Sequence, residues 1–420
     1  MMFKKKTSLL LIFTLTLLSV SASSLHSMEW GGHVRLMGQI SWPDDSSVLL
    51  DEHTFNDQSI DFRLKHKWIF CPWGYVETHY EAIGSRGDTL QNQNSIKSIN
   101  PNLWTYHTTH DANRIMNLTH YITDQHDHTL YHRLDRVAVT LVPEWGNICI
   151  GRQALTIGNG LIFNPMDLFN PFSPTEISRD YKIGDDMVTG QFPINTIGDI
   201  QLLYVPRRDE THDISWNASS LAGKLHVLKK NTEVDVLFAK HFKDYVSGFG
   251  VVGNSGDAVW RYDLTWTVLD KDAQRTNYVS CVANIDYSWT VLDKNIYALL
   301  EYYYNGLGNN SYSTGINSAL SERLIRGEVF TLSKYYLGTE FRVELHPLIN
   351  FHLTMITNLS DPSFLFQPRV VWDVRSSIQC ISGATLYHGQ RDTEFGGFNI
   401  AQGVQFKPAN TIFLWVNMYF

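Results

Sequence analysis

Charged side chains in this sequence recur at every second position of long, otherwise apolar runs. Arg261 and Asp263 alternate with Trp260, Tyr262, Leu264, Trp266 and Val268. Glu340, Arg342 and Glu344 alternate with Thr339, Phe341, Val343 and Leu345, and Glu301 lies between Leu300 and Tyr302. Arg369, Asp373 and Arg375 share one parity of another such run. Acids and bases gathered on one face select solutes electrostatically rather than making bonds. The plainer reading of any one of them is solvation and cross-strand pairing. A second group falls within Gly151–Gly184: Arg152, Glu176, Arg179, Asp180 and Lys182. Two Asn-Pro steps and further prolines exclude a regular strand there. Phe163, Leu168, Phe169 and Phe172 are too apolar for a freely solvated loop. This segment is therefore expected to fold inward and bring its charges to a constriction; the plainer alternative is a loop packed over a rim.

Other reactive side chains carry less. His107, His110, His120, His126, His128 and His132 crowd one stretch, and His126-x-His128 has a spacing that could chelate a metal. No cysteine accompanies them, so solvated loop histidines and no metal site are expected. Cys71, Cys149, Cys281 and Cys380 are widely scattered, form no C-x-x-C pair and read as small apolar strand residues. No nucleophile motif accompanies the many Ser and His residues, so no catalytic site and no cofactor are expected. The formal net charge of −8 gives no basic surface for nucleic acid.

The elements that must position the charges are strands. Side chains of a strand point alternately to opposite faces, so each run has an oily face and a charged face. The runs are about 10 residues long, the length that crosses a bilayer at a tilt. Strands are expected near 30–42, 59–69, 74–84, 131–142, 147–157, 186–193, 198–206, 218–228, 232–243, 245–253, 257–268, 276–289, 296–305, 335–346, 350–358, 364–375, 377–388 and 410–420. That is eighteen, the even number a single-chain barrel needs; without the weak run 245–253 the count would fall toward sixteen. Long connections near 85–130, 158–185, 306–334 and 389–409 then share one side, and short Pro-, Gly- and Asn-containing turns the other. Aromatic residues make up 13% of the chain, with 12 Trp, 20 Tyr and 22 Phe, which suits aromatic girdles at two membrane interfaces. Lys4, Lys5 and Lys6 precede an apolar run from Leu9 to Leu18 and small residues, the layout of a secretory leader. Residues 1–27 are read as that leader, cleaved near 22 or 27, and 28–420 as one all-β transmembrane antiparallel barrel.

The final run, Thr411 to Phe420, resembles the last strand of bacterial outer-membrane barrels, which ends in Phe and is read by the assembly machinery. The resemblance implies that Phe420 is a barrel-assembly signal. The stretch from Gly151-Arg152-Gln153 through Leu161-Ile162-Phe163-Asn164-Pro165-Met166-Asp167-Leu168-Phe169-Asn170-Pro171, with Asp180-Tyr181-Lys182-x-Gly184 and the later Thr393-Glu394-Phe395-Gly396, resembles porin-like outer-membrane proteins related in style to the alginate-export barrels. It is close over about a tenth of the chain. It implies a channel in the outer membrane of a Gram-negative-type bacterium, with membrane lipid, the assembly machinery and small solutes as partners. It transfers no solute, because acids interleave with the arginines here.

A closed barrel of sixteen to eighteen strands encloses an aqueous lumen. Diffusion of small hydrophilic or amphipathic solutes through a charged lumen is the expected function. The alternative is a structural or adhesive barrel acting through its long outer loops; a barrel enzyme and a secreted soluble β-protein rank behind it. Ion preference and oligomeric state are left open.

Overall fold

The structure is a computed structural model that describes residues 27–43, 54–99, 111–169, 171–177, 181–270, 275–309, 312, 316–401 and 404–420. The leader assigned to 1–27 lies outside the described residues except for Ser27. In chain order the strands are β1 (Ser27–Trp42), β2 (Phe55–Cys71), β3 (Gly74–Gly87), β4 (Thr119–Asp124), β5 (His128–Leu141), β6 (Asn147–Gln153) and β7 (Asp185–Ile194). Then come β8 (Gly198–Val205), β9 (Ser220–Lys229), β10 (Thr232–His241), β11 (Asp244–Ser255), β12 (Ala258–Val268), β13 (Asn277–Val291) and β14 (Lys294–Asn305). The last are β15 (Tyr335–His346), β16 (Ile349–Asn358), β17 (Ser363–Arg375), β18 (Ile378–His388), β19 (Phe398–Ala401), β20 (Val404–Phe406) and β21 (Asn410–Tyr419). Two helices, α1 (Asp88–Ile99) and α2 (Ser318–Arg326), lie in long connections.

Eighteen of these strands form one antiparallel cycle. Each pairs with the next, β3 pairs with β5, β18 pairs with β21, and β21 closes on β1 through Val34↔Met418 and Leu36↔Val416. β4 pairs only with β5, as an extension beyond the wall, and β19 with β20 form a separate hairpin. All eighteen expected strands are present, including the weak one, which is β11. The connections after β2, β5, β7, β9, β11, β13, β15 and β17 are all short and fall at one end of the barrel; the long connections fall at the other, where β10–β11 (242–243) and β16–β17 (359–362) are also joined by short turns. In the two-residue turn at 292–293, Leu292 and Asp293 both have positive φ (50° and 58°), which matches the twist of a tight hairpin.

The outward parity is apolar and exposed: Leu36, Ile150, Leu202, Phe249, Trp266, Leu300 and Leu414 all present large hydrophobic side chains there. A soluble protein could not sustain such a continuous band, whereas hydrocarbon solvates it. The inward parity divides in two. β1, β2, β3 and β5 carry His33, Arg35, Arg63, Glu81, Arg133 and Asp135 inward, all buried. β7 to β17 instead present Met187, Leu203, Leu237, Val246, Val282, Leu299, Tyr336, Ile356 and Leu365. An apolar inner wall must be covered, and the 154–184 segment covers it. Ile157, Met166 and Phe169 pack on the β7–β11 wall, and Ile162 and Phe163 on the β13–β17 wall. Burial of each such side chain contributes roughly 1.5–3 kcal/mol.

Candidate functional site

The in-folded segment begins at Arg152 on β6 and ends at Asp185 on β7, so it leaves and rejoins neighbouring strands. Between them it crosses the barrel. Gly158 adopts φ +91°, a left-handed turn that favours glycine, and brings the following amides to β12. The Asn159 N–H donates to Asp263 Oδ2 at 2.5 Å, and its side-chain amide to Oδ1 at 2.8 Å. The Leu161, Ile162 and Phe163 N–H groups donate to Glu301 at 2.8, 3.0 and 2.6 Å. Phe163 stacks on Tyr303 with centroids 4.6 Å apart. Gly338 on β15 has no room for a side chain, because Ile162 Cδ1 stands 2.7 Å from where its Cβ would be.

On its return the segment reaches the opposite, charged wall. The Tyr181 ring lies 4.6 Å from the Arg63 guanidinium, and its hydroxyl accepts from Lys65 Nζ at 2.8 Å. The gap left between segment and wall is a cavity of about 620 Å³. Arg35, Arg63 and Arg133 of the wall, Phe172, Glu176 and Tyr181 of the segment, and Phe242, Arg326 and Phe330 from other connections line it.

The charged wall is a network. Arg63 donates to Asp135 at 2.8 Å and to Glu81, and Arg133 donates to the other oxygen of Glu81. Arg35 donates to Asn417 at 2.9 Å. Near the long-loop end, the Phe242 ring carries two guanidinium groups, Arg207 at 4.7 Å and Arg326 at 3.9 Å. Arg326 ends α2, which is capped by the Asn317 side chain at its start and by left-handed Gly327 at its end. Glu328 just beyond is pushed up by burial, but His241, Arg326 and Arg323 outweigh this and hold it at about 2.

The expected site residues separate into groups. Glu176 and Lys182 reach the cavity. Lys182 is buried and donates to Asp167 at 2.6 Å and to the Leu155 carbonyl at 2.6 Å, so it braces the segment. Arg152 is 1% exposed, locked by Asp186 at 2.8 Å and Asp111 at 3.0 Å. Asp263 and Glu301 do not face water; both lie beneath the segment with no exposure. Glu340 and Arg369 stand 3.6 Å apart on the inner face of β15 and β17. Arg261 pairs with Asp286, Arg342 lies 5.1 Å from the Tyr297 ring, and Glu344 accepts from Asn295 at 2.5 Å. Asp373 accepts from Gln379 at 2.9 Å, beside a register shift that precedes Arg375 at the strand end. Arg179, Asp180, His107 and His110 lie outside the described residues. Among the described residues no group of three potential ligands is placed to hold a metal ion. The four cysteines are unpaired.

Arg133, Asp135, Tyr181, Arg207, Phe242 and Arg326 belong to the site and were not among the residues expected there. Tyr181 sits in the Asp180-Tyr181-Lys182 run, a visible signal. The others depend on a bulge or on loop placement.

No protein-family model matches the chain, and no curated protein matches it in sequence. Solved structures match in shape. Acinetobacter baumannii OccAB1 superposes with a TM-score of 0.52 at 8% identity, covering 96% of this chain and 99% of that one. Pseudomonas aeruginosa OccK5 (OpdH) gives 0.52 at 7% identity, covering 93% and 98%. A BenF-like porin from Pseudomonas fluorescens Pf-5 gives 0.53 at 9% identity, covering 94% and 99%. Over nearly its whole length the chain thus has the fold of these porins, a closed transmembrane antiparallel β-barrel of eighteen strands.

Proposed function

We propose that the protein is an outer-membrane channel through which small hydrophilic or amphipathic solutes diffuse. The observation that carries this is the cavity between the charged β1–β5 wall and the in-folded segment. Opposed charges and aromatic faces at such a gap select solutes by electrostatics and stacking. The segment makes the constriction, with Glu176, Tyr181 and Lys182 beside it. Arg179 and Asp180, just before Tyr181 in sequence, are assigned to the same constriction as an expectation from the sequence. Glu340, Arg342, Glu344, Arg369, Asp373, Arg375 and Arg261 line the remaining inner face and tune the approach. The likeness of Gly151–Gly184 to the alginate-export barrels is read as architectural and brings no polyanion with it. Residues 1–27 act as the secretory leader, and Phe420 as the signal to the assembly machinery, in a Gram-negative-type outer membrane.

A hydrolytic reading finds its best support in Ser220, His241 and Glu328. His241 bridges the Ser220 hydroxyl at 3.0 Å and Glu328 at 3.1 Å. Ser220 is wholly buried, however, and its oxygen accepts from Arg207 at 2.9 Å, so no substrate carbonyl reaches it. The arrangement braces β9, β10 and the chain after α2.

Reconstitution into planar bilayers tests the channel. Discrete conductance steps are expected, with a rise when residues 161–178 are deleted. Liposome swelling with sugars and organic acids then ranks solutes. Absence of both current and swelling from a folded barrel would reject the reading in favour of an adhesive or structural role.

A further inference from the structure

We propose that Asp263 and Glu301 are the positioning residues of this channel: two wall carboxylates that set the aperture by gripping the backbone of the in-folded segment. The inference rests on the channel reading and adds the device that fixes its constriction.

Five consecutive amides converge on these two side chains. Asn159 and Gly160 donate to Asp263 Oδ2 at 2.5 and 3.2 Å. Leu161 donates to Glu301 Oε2 at 2.8 Å, and Ile162 and Phe163 to Oε1 at 3.0 and 2.6 Å. The strands set this up. Arg261, Asn284 and Glu301 are successive partners across β12, β13 and β14, and Asn284 donates to Glu301 Oε2 at 2.9 Å from the middle strand. Both carboxylates have no exposure. Among the described residues neither has a cationic partner, so amide dipoles alone compensate them. Burying an acid without a counter-charge is costly. A wall meant only to pack would be served better by an apolar residue of the same volume. The arrangement makes sense as a grip, because a carboxylate accepts several N–H bonds at once, and such charge-assisted bonds are stronger than neutral ones.

The grip is also specific in chemistry. Glu301→Gln keeps one acceptor oxygen and turns the other into a donor. One face of the site, either Leu161 and Asn284 or Ile162 and Phe163, then meets N–H against N–H. Asp263→Asn is milder: its oxygen can still accept from the Asn159 and Gly160 amides while its NH2 meets a flipped Asn159 side chain, so only the charge of the acceptor is lost. Neither change alters size, so packing against Tyr303 and Gly338 is left in place.

The experiment uses the full barrel, with the four native cysteines changed to serine and Ile162→Cys added as a reporter. Folding is checked by heat-modifiable gel mobility. With Glu301 intact, Ile162→Cys is expected to resist a membrane-impermeant maleimide. Glu301→Gln is expected to make it reactive and to raise single-channel conductance with added current noise, and Asp263→Asn to do so to a smaller extent. Gly338→Cys then supplies a rescue. Ile162 Cβ lies 3.6 Å from the position of a Gly338 Cβ, within disulfide range. Oxidation of the Ile162→Cys/Gly338→Cys pair should return the Glu301→Gln current to the wild-type level, and reductant should raise it again. Unchanged labelling and unchanged current in both amide variants would overturn the proposal. So would a raised current that the disulfide fails to restore. If Glu301→Gln does not fold, Asn159→Ala removes one side-chain bond to Asp263 and is expected to shift labelling the same way to a smaller extent. A wild-type barrel without current would reject the channel instead, and labelling alone would then decide the grip.

Discussion

The Tyr181 ring stacks on the buried His33 imidazole, with centroids 5.3 Å apart and planes 29° from parallel. His79 meets the same ring edge-on at 6.4 Å, while Arg63 and Lys65 lie at 4.6 and 5.2 Å. One loop side chain thus covers two cations and two imidazole rings. Cation–π contacts of this kind contribute about 0.5–2 kcal/mol each. Tyr181→Ala should therefore uncover Arg63 and Lys65 to the lumen, raise conductance and move selectivity toward anions. Tyr181→Phe keeps the ring, loses only the bond from Lys65, and should lie between wild type and alanine. The reversal potential in a salt gradient measures this; an alanine variant with wild-type selectivity contradicts it.

Glu81 is the hinge of the charged wall. It receives Arg63 on one oxygen and Arg133 on the other, and all three side chains are nearly inaccessible. Removing one member of such a set strands the others as uncompensated charge, which costs about 3–5 kcal/mol. Glu81→Gln is expected to lower the unfolding free energy of the refolded barrel, read from a urea titration, by an amount in that range. Glu77→Gln offers a control on the same strand, since that side chain is 40% exposed and pairs with His79. Equal effects from the two variants would show that burial of the network does not matter.

How far these features could be read in advance depends on what each inner face touches. The strands with charged inner parity, such as β12 and β15, alternate visibly. β11 alternates weakly because its inner positions include Gly248 and Gly250, kept small by Met166 and by Asn159 and Asp263 above them. The loop that covers the wall thus erased the alternation by which the wall is recognised. Parity also placed Asp263 and Glu301 on the correct face but in water, since nothing in local sequence says where a loop will lie. The charged wall was obscured by a bulge. The β3–β5 register slips between His79, paired with Arg136, and Tyr80, paired with Leu134. Asp135 and Arg136 are consequently both buried, which a strict period of two forbids. The apolar character of Phe163 and Phe169 did announce an in-folded loop, because burial is demanded by composition alone.

Beyond the barrel wall, Glu394 ties its own long connection to the one before β15 and to the short turn between β16 and β17. It accepts from the Leu332 N–H and from the Asn358 amide, both at 2.8 Å, and from the Tyr336 hydroxyl. Its own N–H donates to Asp361 at 3.0 Å. Burial pushes its carboxyl up to about 7 from an ordinary 4.5, against the pull of those hydrogen bonds. A raised carboxyl stabilises the folded form when protonated. Its contribution is whole below 4.5 and is lost as pH rises through about 7. Hydrogen exchange in 328–336 and 389–397, corrected for the intrinsic rate, should therefore be slower at mildly acidic than at mildly basic pH. Glu394→Gln should flatten that dependence. A slope that survives the substitution would assign the effect to another group, with Asp361 the first to examine.

The outer face makes a complementary prediction, because there the solvent is lipid. Leu300 points outward near the middle of β14 and is 48% exposed, while its neighbour Leu299 points inward and is 3% exposed. The two differ in surroundings rather than in chemistry. Leu300→Arg places a charge at mid-bilayer depth, which costs about 2–4 kcal/mol in membrane barrels. Leu300→Ala loses only contact with lipid tails. Leu299→Ala leaves a cavity against Tyr303 and Phe163 and should cost roughly 2–5 kcal/mol in any medium. Folding into liposomes, followed by tryptophan fluorescence across a urea series, separates these cases. Arginine should be poorly tolerated and alanine well tolerated at 300, with the order of alanine costs reversed at 299. A mild effect of Leu300→Arg would mean that this face meets water, and the band of outward apolar residues would need another partner.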